Sequence, residues 1–223
     1  MAERRKVCAM LVEIWSDVIC PWCAIGKVRF SRALEDFAHA EEVDVVFRSF
    51  ELDPNAPELR RGTMAEQLAR KYGMSVAEAQ RTNDHLEEVA TLDGLEFHFD
   101  RARPGNTFDA HRLLQFAAER GAQHDLLAAL MDGYFRDGMA VSDRARLTEV
   151  ATGIGLATGE VVTLLEGDAY ADAVRADETR AQDLGITGVP FFLIEGKYAI
   201  PGAQPIERFG MGLDRAWDKL VAA

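Results

Sequence analysis

Hydrophobic positions fall along this chain in three regimes. Val12-Glu13-Ile14-Trp15 is a short apolar stretch of strand type, stopped by Ser16-Asp17. From Pro21 the spacing turns helical, with Phe30, Ala33, Leu34 and Phe37 falling on one helix face. Val43-Asp44-Val45-Val46-Phe47 is β-branched and bounded by charges, the pattern of a second strand. Strand, helix and strand at these lengths imply a parallel pair with a right-handed crossover.

Asp53-Pro54-Asn55-Ala56-Pro57 breaks that pattern, and helical spacing dominates residues 63–184. Phe108, Leu113, Leu114 and Ala117 mark one apolar face. Leu126, Leu127, Leu130, Met131 and Tyr134 mark another, ending near Gly138. Ser142-Asp143 has the chemistry of an N-cap for a helix carrying Leu147 and Val150. A further helix is expected over residues 168–184, closed by Gly185. Within this block only Glu96-Phe97-His98-Phe99 looks extended, in a connection between helices. Strand character returns at Phe191-Phe192-Leu193-Ile194 and, after the turn Glu195-Gly196, at Lys197-Tyr198-Ala199-Ile200. Two strands so close form an antiparallel hairpin. A last helix follows over residues 205–220, with Pro205 read as its first helical residue and Ile206, Phe209, Leu213 and Trp217 facing inward. The expected architecture is α/β: a small mixed sheet begun before a helical block and completed after it. The sheet unit takes residues 10–52 and 185–223, and the inserted block residues 53–184.

The 223 residues, 48% apolar and 28% charged, suit a soluble globular chain with a packed core. A formal charge of −12 argues against nucleic acid and against an anionic membrane surface, both of which need exposed Lys and Arg. The longest basic run is Arg4-Arg5-Lys6, and no stretch approaches the roughly 18 apolar residues of a membrane span. The N-terminus, basic and then apolar, has the outline of a secretory signal. Glu13 and Asp17 interrupt it and no small-x-small cleavage site follows, so a frayed tail leading into a buried strand is expected. The three cysteines are too few for a disulfide scaffold, and in a reducing cytoplasm a C-x-x-C pair points to catalysis or metal binding.

Cys20-Pro21-Trp22-Cys23 is that pair. Proline suits a first helical position, because its missing N–H would have had no partner there. Cys20 then takes the N-cap, where unpaired amides and the helix dipole favour a thiolate. Cys23, one turn inward, is expected to be more buried and to hold its proton longer. The asymmetry makes Cys20 a nucleophile and Cys23 a resolving thiol. A structural zinc site would need a second Cys/His pair, and the sequence has no other C-x-x-C or H-x3-5-H, so no metal is expected. An inert buried pair is the bland alternative. Trp22 is expected to be exposed, as a contact for apolar substrates or packed on the helical block.

The chain resembles the DsbA-type branch of the thioredoxin superfamily, and more narrowly the FrnE-like proteins. The resemblance rests on SDVICPWCAIGK near the start, NTFDAHRLLQFA in the helical block and GVPFFLIEGKYAIPGAQ near the end. It implies a thioredoxin-like fold with a large helical domain inserted between the second and third strands. It implies a thiol–disulfide oxidoreductase or isomerase acting through Cys20 and Cys23 in the active-site loop with Pro21 and Trp22. It also implies a cis Pro190, with Val189 offering its main chain to an extended substrate. The absence of a histidine between the cysteines implies a less oxidising couple than that of the strongly oxidising DsbA proteins.

The resemblance extends to glutathione-dependent 2-hydroxychromene-2-carboxylate isomerases, whose N-T-x-x-A-x-R segment faces the active cleft. Asn106-Thr107, Ala110 and Arg112 match it, so Asn106 and His111 become candidate substrate-binding residues; a plain N-cap and helix surface is the alternative. Gly202-Ala203-Gln204 precedes the last helix, where backbone amides can receive an anion. Kappa-class glutathione transferases carry Ser-Asp near here, so Ala203-Gln204 counts against tight glutathione binding. Asp17 either assists proton transfer from Cys23 or caps the turn, with the structural role favoured. Lys27 reads as a solvated residue, and Cys8 as a tail or first-strand residue without a catalytic role. The expected partner is a disulfide-containing protein or a small thiol, met by a monomer or homodimer in the cytoplasm. No cofactor is required beyond glutathione as a conceivable co-substrate. The rival readings are a glutathione-using isomerase or transferase and a non-catalytic binding protein.

Overall fold

The computed structural model describes residues 10–222. Cys8 and the basic tail lie outside the described residues, and so does the reading of the N-terminus as a frayed tail.

Four strands form one mixed sheet. β1 (Met10–Ser16) runs parallel to β2 (Val43–Ser49), and on its other side antiparallel to β3 (Phe191–Ile194), which pairs with β4 (Tyr198–Pro201). The order is β2-β1-β3-β4, so the first strand is central and its neighbours come from opposite ends of the sequence. The register places Ile14 beside Phe47 and Phe192, and Phe192 beside Ile200.

Alternation along β1 sorts the two faces. Val12 and Ile14 enter the main core with α1 (Pro21–Glu35) and α9 (Ile206–Val221). Phe30 of α1 lies 5.3 Å from Phe192 and 5.6 Å from Phe209 of α9, and Phe192 and Phe209 are 4.6 Å apart. On the opposite face Trp15 packs with Ala181, Ile186 and Leu193, and its indole N–H donates to the Asp177 carbonyl at 3.0 Å. These contacts hold α8 (Ala171–Asp183) against that face.

All of α2 (Met64–Tyr72), α3 (Val76–Leu92), α4 (Phe108–Ala118), α5 (Gln123–Phe135), α6 (Arg144–Gly153), α7 (Thr158–Glu166) and α8 lies between β2 and β3 in the chain. Thr63 and Ser75 each accept from the amide three residues on, and Glu66 and Glu78 answer the cap amides, which fixes the starts of α2 and α3. Asp143 caps α6 through the amides of Ala145 and Arg146. Gly185, at φ +70°, ends α8 as Ile186 N–H returns to the Ala181 carbonyl. Pro205 is the N-cap of α9 rather than its first helical residue, its ψ of 153° being extended. Residues 96–99 are irregular; their alternation reflects burial of Phe97 and Phe99, with Phe97 stacked 4.2 Å from Phe135.

The main core is continuous from the sheet into the helices, joining Ile14 to Leu126, Tyr134 and Leu164. The outer edge of β2 is closed by α5: the Gln123 amide group donates to the Phe47 carbonyl and accepts from the Phe47 N–H at 2.9 and 3.0 Å. A side chain thereby takes the place of a fifth strand. Arg29 of α1 pairs with Asp93, just past α3, at 2.8 Å and donates to the Ala203 carbonyl at 3.0 Å. No described helix is long and apolar enough to cross a membrane.

Phe209 has no exposed surface and closes the aromatic cluster between sheet, α1 and α9. Phe209→Ala is expected to cost about 3–5 kcal/mol in chemical denaturation. Met211→Ala, on the exposed side of the same helix, should stay within about 0.5 kcal/mol.

Candidate active site

The site is built where β1 ends and α1 begins. After Ser16 the chain makes a tight turn closed by the Cys20 N–H on the Asp17 carbonyl at 3.2 Å. Pro21 then opens the helix, and Cys20 is its N-cap with extended φ and ψ of −88° and 113°. The Cys20 side chain does not cap the helix by a hydrogen bond. Its thiol donates instead to the Val189 carbonyl at 3.6 Å. Trp22 is 41% exposed, whereas Cys20 and Cys23 are buried at 4% and 2%, and both are free thiols.

The Val189–Pro190 bond is cis, and the Pro190 carbonyl accepts from Gly202 N–H at 2.8 Å. Pro190 presses on α1 at Gly26, where an added Cβ would come within 3.0 Å of its ring. The absent side chain lets helix and loop close around the cysteines.

Burial pushes the Cys23 thiol well above its ordinary value, and the neighbouring Cys20 sulfur adds to the rise. The Asp17 main chain and the Ser16 hydroxyl act the other way. Lys27, one turn further along α1, is half-buried rather than solvated; desolvation pushes its ammonium down against the opposing pull of Asp132 and Asp125 on α5.

Behind the cysteines lies a buried polar cluster. Asp17 is fully buried; one carboxylate oxygen accepts from Leu52 N–H at 2.8 Å and the other lies 3.3 Å from His111 Nε2. His111 is 1% exposed, so the candidate substrate-binding histidine touches Asp17 beneath the surface. Burial works to lower its pKa, but the Asp17 carboxylate, aided by Glu51 and Glu178, outweighs burial and lifts it above the ordinary value. Glu51 pairs with Arg175 through one oxygen at 2.6 Å, and burial raises its carboxyl. The Tyr134 hydroxyl, the other Glu51 oxygen and the Ser16 hydroxyl are buried without a hydrogen-bond partner among the described residues.

Asn106 caps the start of α4, its side-chain oxygen accepting from Phe108 N–H at 2.9 Å, and its amide group donates to the Ala56 carbonyl at 3.3 Å. It ties the helix to the loop after β2. Arg112 is neither cleft-facing nor on the helix surface. Only 2% exposed, it donates to the Ala169 and Gly167 carbonyls at 2.8 and 2.7 Å and pairs with Asp109, binding α4 to the turn between α7 and α8. At Gly202-Ala203-Gln204 the first and third amides already donate, to Pro190 and Gly202, which leaves little to receive an anion. Among the described residues no cluster of three His, Cys, Asp or Glu is placed to hold a metal ion.

The Asp17–His111 pair is a feature that sequence reading missed, because its members stand 94 residues apart. It carries a pH signature. A histidine whose folded pKa lies above its unfolded value, about 6.5, stabilises the fold fully below that value. The contribution is lost as pH rises through the folded pKa. Denaturation midpoints should therefore fall as pH rises above about 6.5. His111→Asn should flatten that decline.

The DSBA-like thioredoxin domain family matches residues 11–213. The uncharacterized protein YwbO of Bacillus subtilis (strain 168) is 27% identical over 195 residues, 86% of this chain and 90% of that protein. The crystal structure of the probable DsbA oxidoreductase SCO1869 from Streptomyces coelicolor is 47% identical, with a TM-score of 0.90 over 94% of this chain and 90% of that one. At 18% identity the cytosolic disulfide reductase DsbM from Pseudomonas aeruginosa shares the fold, with a TM-score of 0.62 over 96% of this chain and all of that one (100%). The chain belongs to the DSBA-like thioredoxin domain family and is an enzyme of the oxidoreductase type.

Proposed function

We propose that the protein is a cytoplasmic thiol–disulfide oxidoreductase in which Cys20 is the nucleophile and Cys23 the resolving thiol. One observation carries this reading: Cys20 stands at the N-cap of α1 beside the Val189 carbonyl, with Cys23 buried one turn behind it. The amide end of α1 favours the negative charge that passes between sulfurs during exchange. Burial keeps the proton on Cys23 until it is needed.

The Cys20 thiolate attacks one sulfur of a substrate disulfide. A Cys20–substrate bond forms, the substrate S–S bond breaks, and the departing thiolate takes a proton. Cys23 then loses its proton and attacks the Cys20 sulfur. The Cys20–Cys23 bond forms as the Cys20–substrate bond breaks, leaving the substrate a dithiol and the enzyme a disulfide. A second dithiol, or two small thiols such as glutathione, reverses these exchanges. Stopped at the mixed disulfide and returned, the same steps isomerise. No metal or tightly bound cofactor enters the cycle.

The Val189 carbonyl lies at the Cys20 sulfur and Trp22 is exposed two residues on, so an extended substrate segment reaching Cys20 would meet main-chain groups of Val189. Asn106 serves by tying the start of α4 to the loop after β2. The glutathione-using isomerase reading has less support, because the amides of Gly202 and Gln204 are already engaged and both cysteines are present.

Cys20→Ser should abolish insulin-disulfide reduction, whereas Cys23→Ser should retain the first exchange and accumulate a substrate-linked species visible on non-reducing gels. Turnover of a chromene carboxylate by the wild type, with no insulin reduction, would overturn the proposal.

A further inference from the structure

Ser16 is the last residue of β1 and is 4% exposed. Strand alternation gives it the parity of Val12 and Ile14, whose side chains enter the core against α1, and opposite parity to Trp15 on the far face. Its side chain thus shares the face of β1 that packs into the core cluster holding Cys23. Among the described residues the hydroxyl has no hydrogen-bond partner, although the large majority of buried side-chain polar atoms are paired. An unpaired buried donor is costly, so a hydroxyl kept in this position implies a state of the site in which it is satisfied.

The geometry points to Ser16 as a positioning residue for the resolving step: its hydroxyl donates a hydrogen bond to the Cys23 sulfur when that sulfur is a thiolate. The inference rests on Cys23 being the resolving thiol, as proposed above.

In the dithiol enzyme Cys23 carries its own proton, and a thiol sulfur is a weak acceptor. During resolution the sulfur becomes an anion and a strong acceptor in a site that burial makes hostile to charge. The electrostatic surroundings of Cys23 agree, since the Ser16 hydroxyl is among the few groups that oppose its upward shift. Ser16 keeps its proton throughout. The proton lost by Cys23 is matched by the one gained by the departing substrate thiolate. The Cys20–Cys23 bond forms as the Cys20–substrate bond breaks, and the balance of the step is unchanged. What the hydroxyl alters is the fraction of Cys23 ionised at neutral pH.

The test uses the reduced protein and an aromatic disulfide, 5,5′-dithiobis(2-nitrobenzoate), whose two thiols are released in succession. The first release reports attack by Cys20 and the second reports resolution by Cys23. Ser16→Ala should leave the first phase unchanged and slow the second on the order of tenfold near neutral pH, the effect of one hydrogen bond to a charged group. Ser16→Thr should restore it. The deficit should shrink as pH rises and Cys23 ionises unaided. Because the hydroxyl is unpaired in the dithiol form, Ser16→Ala should melt no lower than the wild type. An unaltered second phase, equal slowing of both phases, or a variant that fails to fold would overturn the inference. Absence of any second phase in the wild type, or its persistence in Cys23→Ser, would overturn instead the reading of Cys23 on which it depends.

Discussion

The antiparallel pairing of β3 with β1 is the constraint on which the site depends. With Trp15 opposite Phe191, the residues entering β3 must lie beside the residues leaving β1. Val189 and Pro190 therefore meet Cys20 although 169 residues separate Val189 from that cysteine. A register slip of one residue would turn Phe192 out of the aromatic cluster with Phe30 and Phe209. The same slip would carry the Val189 carbonyl away from the sulfur. Core packing and site geometry are thus set by one choice of register, fixed by which side chains fill the aromatic core and which pack with Trp15 on the far face.

The second constraint is electrostatic. Asp17 sits at the end of the central strand with no exposed surface, and a lone carboxylate there would be strongly unfavourable. Leu52 N–H and the His111 ring answer its two oxygens. Removing either partner of such a buried pair costs more than the pair contributes, because the survivor is left desolvated. The pair also spans the fold: Asp17 belongs to the turn that positions Cys20, and His111 to α4 of the helical block. The helices between β2 and β3 are therefore coupled to the cysteine turn through a buried ion pair as well as through a shared apolar core.

What could be read from the sequence was local. Pro21 after Cys20 fixed a helix start, β-branched runs fixed strands, and Gly185 fixed a helix end, because each acts through its own backbone or its neighbours'. The starts of α2 and α3 were equally legible in Thr63-x-x-Glu66 and Ser75-x-x-Glu78, two capping boxes that periodicity alone passes over. Pro205 stands one position before the first helical residue, not at it as its sequence context suggests, since proline suits the N-cap as well as the first turn. The rest was not local. His111 and Arg112 sit on a helix whose spacing shows a polar stretch, and nothing in that spacing states that one pairs with Asp17 and the other with carbonyls 52 to 57 residues away. Single-sequence patterns carry periodicity, and pairing between distant polar groups leaves no period.

These constraints act differently on the two sulfurs, and the difference has a direction. In the Cys20–Cys23 disulfide neither sulfur carries a charge or a proton, so the desolvation of Cys23 weighs only on states in which it is ionised. Burial that holds the proton on Cys23 therefore protects the dithiol from becoming two adjacent anions. In the cycle proposed for this site the same burial slows escape from a mixed disulfide, because resolution requires the disfavoured thiolate. A site with this asymmetry dwells longer on its substrate, which gives time for a second substrate thiol to attack and for bonds to rearrange. Any group that offers the Cys23 anion a hydrogen bond shortens that dwell. On the proposed cycle, the balance between net reduction and isomerisation is set behind Cys23, by the end of β1, as much as by the two residues between the cysteines.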